Sequence, residues 1–212
     1  NFNLVGNPYP SSLSTALFRA RNTGGGKVGV GTFYFWNQTS NPFTAGNYVS
    51  VNSSNIVSGG IAPGDFSGSQ IGGAQSFMVD VASAGDLEFR NDDRVPAYPS
   101  NLTQWFSTTE TISLLRLKIS NNNGLEHNTV VAFSDVSSDD YIVGEDSPRL
   151  PGTTGVEVFS LLEPRQLNTQ MFSPLTSGRI VDLGIVATSP GQYSLSLTEF
   201  LEFDPTVRVF LE

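Results

Sequence analysis

Four consecutive aromatic residues near the beginning of the sequence constrain the fold more than any other feature. They lie in residues 31–37, which read GTFYFWN and carry no charge. Aromatic and β-branched side chains are typical of strands, and an uncharged run of this length fits a strand that is buried on both faces. A helix here would lack both a cap and an apolar period. We therefore predict a central strand, with Trp36 mostly buried at its end.

Short apolar runs, separated by Gly, Pro, Asn and Ser, continue through the rest of the sequence. Together they predict about ten strands, with one hairpin where residues 76–81 and 86–89 flank a turn. A second hairpin is predicted where the Asn-rich turn at 121–124 joins two apolar runs. The remaining strand candidates are residues 48–51, 156–162, 179–186, 193–197 and 207–211.

One early segment has helical rather than strand spacing. Leu13 and Leu17 recur four residues apart, as do Ala16 and Ala20. Candidate N-caps at residues 11–12 precede these positions, and the glycines that begin at Gly24 end the segment. One helix with about ten strands predicts an all-β fold, namely an antiparallel β-sandwich that is jelly-roll-like and has one short N-terminal helix.

The length of the chain suits one domain of this kind. All-β sandwiches occur as single domains at this size, so we predict one domain over residues 1–212. The Pro-rich residues 95–100 are the only candidate internal boundary, and we interpret them as a crossover within that domain. The first six residues resemble a strand entered midway, which leads us to expect a fragment of a longer polypeptide.

Charge and composition exclude several classes of partner. Asp and Glu number 20 against 11 Lys and Arg, and the basic residues form no cluster. We therefore expect no nucleic-acid partner and no binding to an anionic membrane, because both depend on grouped cations. No apolar run approaches the roughly 20 residues that span a bilayer, so no membrane insertion is expected. The chain contains no cysteine, which excludes disulfides and thiolate metal sites.

Motifs for catalysis and cofactor binding are missing or stand in the wrong context. The glycines that begin at Gly24 match a dinucleotide pattern, but they follow a predicted helix instead of a strand. No Gly-x-Ser-x-Gly sequence is present, and the single histidine, His127, lies in a predicted turn where we expect it on the surface. Glu199 with Glu202, or Glu157 with Glu163, could form a carboxyl pair, but acidic residues that border strands usually face water. We therefore predict a non-enzymatic protein without a certain cofactor.

Several short motifs together resemble a known module. Residues 3–11 read NLVGNPYPS and precede the predicted helix and the aromatic strand, while residues 146–150, 181–185 and 191–197 supply weaker matches. Together they resemble a β-sandwich module of secreted and cell-surface Bacteroidetes proteins, often found near type IX secretion sorting domains in adhesin-like hosts. Residues 72–79 depart from that module's usual strand motif. The resemblance implies a secreted or cell-surface location and no catalytic residues.

An acidic loop is the best candidate for an ion site. Its five carboxylates lie within twelve positions, among Ser and Gly residues, and would supply the hard oxygen ligands that calcium prefers. The spacing does not match an EF-hand loop, and a solvated acidic turn is the alternative. The candidate calcium ligands are Asp135, Asp139, Asp140, Glu145 and Asp146.

Aromatic rings are the candidates for ligand contact. Sugar C–H faces stack on flat rings, and we expect this role for Trp105, Tyr98 and Tyr141, although core packing is the alternative for each ring. We predict a non-catalytic adhesion or ligand-binding module that contacts an extracellular glycan or protein surface and adjoins neighbouring domains of the same polypeptide. The alternatives are a carbohydrate-binding module that targets a polysaccharide and a structural spacer.

Overall fold

The computed structural model describes residues 2–38, 46–60, 66–95, 112–152 and 155–212. Within these ranges the chain is mostly strand, with one α-helix and one short 3-10 helix at Asn91–Asp93. The elements, in chain order, are β1 (Phe2–Gly6), β2 (Leu13–Ser14), α1 (Thr15–Arg21), β3 (Val30–Gln38), β4 (Gly46–Val51), β5 (Val57–Gly59), β6 (Gln70–Ile71), β7 (Ser76–Val81), β8 (Ser113–Asn121), β9 (Glu126–Phe133), β10 (Ser147–Pro148), β11 (Val156–Leu162), β12 (Arg165–Phe172), β13 (Leu183–Ala187) and β14 (Tyr193–Leu201). The predicted all-β, sandwich-like class with one short helix is confirmed.

A 12-stranded mixed sheet contains most of the described strands. Its N-terminal part follows the order β1-β7-β3-β4-β5, and every pair in it is antiparallel. Its C-terminal part contains β8 to β14, and the two parts meet where Gly59 of β5 pairs with Asn128 of β9. The sheet folds over itself, because Val156 and Val158 of β11 pack against Ile119 of β8.

β3 is covered on both faces, as its sequence predicts. Phe33 and Phe35 belong to the main hydrophobic core. On the other face Thr32 Oγ1 donates to the backbone oxygen of Asp146 at 3.2 Å, and the Tyr34 hydroxyl donates to that of Pro148 at 2.7 Å. The expectation that Trp36 is mostly buried is wrong. The side chain is 46% exposed, because the strand extends past the core at this end.

α1 closes the N-terminal core from one side. Its N-cap is Ser14, whose hydroxyl accepts a hydrogen bond from the N–H of Leu17 at 3.3 Å, whereas residues 11–12 were the predicted caps. Phe18 is fully buried and meets Phe77 edge-on, with 6.0 Å between the ring centroids. Leu17, which defined the predicted apolar stripe, is 44% exposed. The helix therefore buries a single large ring.

Two strand pairings differ from the sequence-based expectation. The predicted hairpin of residues 76–81 with 86–89 is wrong, because β7 pairs with β1 and β3 instead. Residues 86–89 form no strand, and their Leu87 and Phe89 side chains pack on the core. β9 and β12 run parallel, whereas an antiparallel sandwich was predicted. The hairpin of β8 with β9 is confirmed.

His127 is buried, which corrects the expectation of a surface position. The turn is shorter than predicted, so β9 begins at Glu126 and carries the histidine into the sandwich. Its Nδ1 accepts a hydrogen bond from the N–H of Val158 at 3.3 Å, and its Nε2 lies 3.9 Å from a carboxylate oxygen of Glu157. Burial and the nearby charge of Arg149 lower the pKa of His127 from 6.5 to about 3.

This lowered pKa predicts a loss of stability in acid. The unfolded chain takes up a proton at His127 as the pH falls through 6.5, whereas the folded chain does so only near pH 3. The free energy of unfolding should therefore fall between those limits, by up to about 1.4 kcal/mol per pH unit from this residue. Urea unfolding at pH 7, 6, 5 and 4 measures the slope, and His127→Gln should remove this contribution. Equal slopes for the two proteins would contradict the prediction.

Candidate functional site

An open groove of about 480 Å³ lies where β1 and β7 meet the turn between β11 and β12. Four segments that are far apart in the sequence form its walls. The lining includes the side chains of Phe2, Asp80, Tyr141, Arg149, Arg165 and Gln166. The groove therefore combines rings, one carboxylate, guanidinium groups and an amide, which are the groups that orient a polar ligand.

Tyr141 connects the carboxylate and a guanidinium group in this groove. Its hydroxyl donates to Oδ2 of Asp80 at 3.2 Å. The guanidinium carbon of Arg165 lies over its ring, 4.1 Å from the ring centroid. Burial and then the charge of Asp80 raise the pKa of Tyr141 well above its usual value, so the hydroxyl stays protonated and remains a donor.

Phe2 forms an aromatic wall of the groove. Its ring meets Tyr34 edge-on, with 5.4 Å between the centroids, and 41% of the residue is exposed. Tyr34 in turn donates from its hydroxyl to the backbone oxygen of Pro148, which is also a lining residue. The groove thus rests directly on the buried strand β3.

The two arginines in the groove have different partners. Arg149 donates from Nε to Glu157 at 2.7 Å and from a terminal nitrogen to Gln166 Oε1 at 2.7 Å, and it also lies over the ring of Phe159. Among the residues that the structure describes, no carboxylate or carbonyl accepts a hydrogen bond from the guanidinium group of Arg165. One cation in the groove is therefore neutralised and the other is available.

Of the three predicted ligand-binding rings, the structure describes one, and that ring lines the groove. Tyr141 is half-buried and lines the groove. Tyr98 and Trp105 lie outside the described residues. Phe2, Asp80 and Arg165 were not predicted from the sequence. Phe2 and Asp80 meet through the pairing of β1 with β7, and Arg165 reaches the groove from the turn between β11 and β12. A signal was present only for Asp80, a carboxylate inside the apolar run of residues 76–81.

The acidic loop does not bring its five carboxylates together. Asp139 pairs with Arg179 at 2.7 Å and accepts two hydrogen bonds from Ser173. Asp135 and Asp140 are exposed, and the backbone oxygen of Glu145 accepts a hydrogen bond from Asn52. In the part of the chain that the structure describes, no three His, Asp or Glu side chains form a group that could hold a metal ion. Calcium binding by this loop stays a prediction.

Asp146 acts within the fold in this structure. Its carboxylate oxygens accept hydrogen bonds from the N–H groups of Ile142 and Met171, both at 2.8 Å. Burial raises the pKa of Asp146 to about 6, although both N–H groups favour the ionised form. These bonds fix the loop from which Tyr141 projects into the groove.

The bond between Tyr34 and Pro148 gives a stability prediction for the groove wall. Tyr34→Phe leaves the Pro148 carbonyl without this donor, which should lower the free energy of unfolding by about 1 to 2 kcal/mol. Urea unfolding measures the loss. Tyr9→Phe is the matched control, because the Tyr9 hydroxyl makes no hydrogen bond with the described residues. An equal effect of the two substitutions would contradict the proposed role of the bond.

Comparisons with known proteins place the chain in a family. A family model described as a domain of unknown function, DUF8693, matches residues 1–212. No curated protein matches, and no solved structure matches. Among the described residues, no helix is long and apolar enough to cross a membrane. Because the match covers the whole sequence, the chain belongs to the DUF8693 family.

Proposed function

We propose that this chain is a non-catalytic, ligand-binding module for adhesion in a larger secreted or cell-surface protein, and that the groove at Tyr141 binds a glycan. The observation that carries the proposal is the placement of Tyr141 between Asp80 and Arg165 in an open groove. A ring supplies a flat surface for sugar C–H groups. The carboxylate and the guanidinium group supply an acceptor and donors for hydroxyls.

The groups in the groove support binding over hydrolysis. Glycoside hydrolysis ordinarily requires two carboxyl groups that face each other across the sugar, about 5 to 10 Å apart. Among the described lining residues, Asp80 alone carries a carboxylate, and it already accepts the hydroxyl hydrogen of Tyr141. The Glu157 carboxylate, which the sequence offered for such a pair, is buried and bonded to Arg149. The groove therefore lacks the second carboxyl group that a hydrolase uses.

The secreted location and the longer parent protein are supported by the sequence. Ser, Thr, Asn and Gly are frequent and charged residues are only 15% of the chain, a balance common in bacterial extracellular β-proteins. The resemblance to surface modules of Bacteroidetes points the same way. A carbohydrate-binding module that targets a polysaccharide would use the same groove, whereas a spacer would need none.

Retention on immobilised polysaccharides tests the proposal. Tyr141→Ala should reduce retention by about tenfold or more, because the ring and its hold on Arg165 are both lost. Trp36→Ala is the matched control, since it removes an exposed ring that does not line the groove. Circular dichroism establishes that each variant is folded. Tyr141→Phe keeps the ring and should retain more binding than Tyr141→Ala.

Three results would overturn the assignment of the groove. The first is retention that survives Tyr141→Ala and disappears in Trp105→Ala, which would move the site to a ring outside the described residues. The second is retention that a chelator abolishes while Tyr141→Ala leaves it unchanged, which would favour the calcium loop. The third is the lack of retention on any glycan, which would reject glycan binding.

A further inference from the structure

We infer that the groove selects a sugar that carries a carboxylate, and that Arg165 is the residue that recognises it. This inference deepens the proposed glycan-binding function and rests on it. It concerns the chemical class of the ligand, which neither the family match nor the ring in the groove specifies.

Arg165 differs from every other arginine of the chain. The sequence contains nine arginines, and all lie within the described residues. The guanidinium groups of eight of them donate hydrogen bonds to oxygen atoms of the protein. Arg165 makes no such bond with the described residues, and its guanidinium group contacts the ring of Tyr141. The chain has nearly twice as many acidic as basic residues, yet Arg165 forms no ion pair with the described residues, and only its longer-range charge acts on Asp146.

A contact with the Tyr141 ring places this cation in the groove before any ligand arrives. Its guanidinium carbon lies 4.1 Å from the centroid of the Tyr141 ring, and the hydroxyl of that ring is bonded to Asp80. A guanidinium group that lies over a ring keeps its N–H donors free, and they match the two oxygens of a carboxylate. Because the side chain is already placed, binding costs less conformational entropy than it would for a mobile arginine.

The other charged groups near the groove leave room for one anion. Glu157 neutralises Arg149, the other arginine that lines the groove. Asp80 is only 6% exposed and bonds to the hydroxyl of Tyr141, whereas Arg165 lies over the ring. Tyr141 therefore separates the negative group from the available positive one. Gln166 accepts from Arg149 through its oxygen, and its amide nitrogen remains a second donor beside Arg165.

Matched polymers test the inference directly. Galacturonan, glucuronan and alginate are each compared with their carboxyl-reduced forms, which keep the backbone and lose the charge. The wild-type protein should bind at least one acidic polymer about tenfold tighter than its reduced form. Arg165→Gln should abolish this preference, and Arg165→Lys should weaken it, because an ammonium group cannot make the paired contact.

Arg208→Gln is the control for the loss of one positive charge. Arg208 is exposed and lies outside the lining of the groove, so the preference for the acidic polymer should persist in this variant. Loss of the preference in Arg208→Gln would reduce the effect to net charge and overturn the inference. Dextran sulfate is a further arm, and binding as tight as that of the acidic polymers would overturn selectivity for a carboxylate.

The outcomes separate this inference from the proposed function. Equal binding of acidic and reduced polymers, lost in Tyr141→Ala, would overturn the role of Arg165 and leave glycan binding in place. Failure to bind any polymer in either form would overturn both. A preference for acidic polymers that is lost only in the Arg165 variants supports both.

Discussion

The burial of β3 on both faces is the constraint on which the rest of the structure depends. One face lies in the aromatic core with Phe18 and Phe77, and the other is covered by residues 146–148. Those residues belong to the C-terminal half of the sequence. The second face of β3, a strand of the N-terminal half, is therefore buried by the C-terminal half. Each large ring buried there contributes roughly 1.5 to 3 kcal/mol, and its loss would also leave a cavity. The groove is a direct product of this contact, because Pro148 both covers β3 and lines the groove, and Tyr141 precedes the covering residues in the same loop.

The sequence predicted local elements better than their partners. The uncharged aromatic run identified β3, and the Asn-rich turn identified the hairpin of β8 with β9. The pairing of β7 with β1 and β3 was missed, because alternation along a strand shows which face is apolar and carries no information about the neighbour. The same limit applies to His127. Its burial depends on the residue at which β9 begins, and the ends of strands are harder to predict from sequence than the strands themselves.

The candidate site was less accessible to sequence reasoning than the fold. Tyr141 was predicted as a ligand-binding ring, and it does line the groove. The carboxylate and the guanidinium group that contact it come from distant segments of the sequence. Arg165 follows a cis proline in a tight turn and resembles any exposed turn residue. Its unusual property is that no described residue accepts a hydrogen bond from its guanidinium group, and this becomes visible only when every other arginine has been placed. In the acidic loop, residues that are close in sequence were predicted to form one site. In the structure Asp139 and Asp146 instead bond to different segments of the chain.

The position of β1 has a mechanical consequence. Among the described strands β1 is an edge strand paired with β7, and its register begins with Phe2 opposite Asp80, at the groove itself. A force applied on the N-terminal side of Phe2 and directed across the strand axis would break the hydrogen bonds of β1 one residue pair at a time, starting at that end. The aromatic wall would therefore separate before the core is disturbed. Tension in that direction would open the groove at Phe2 while the core stays folded.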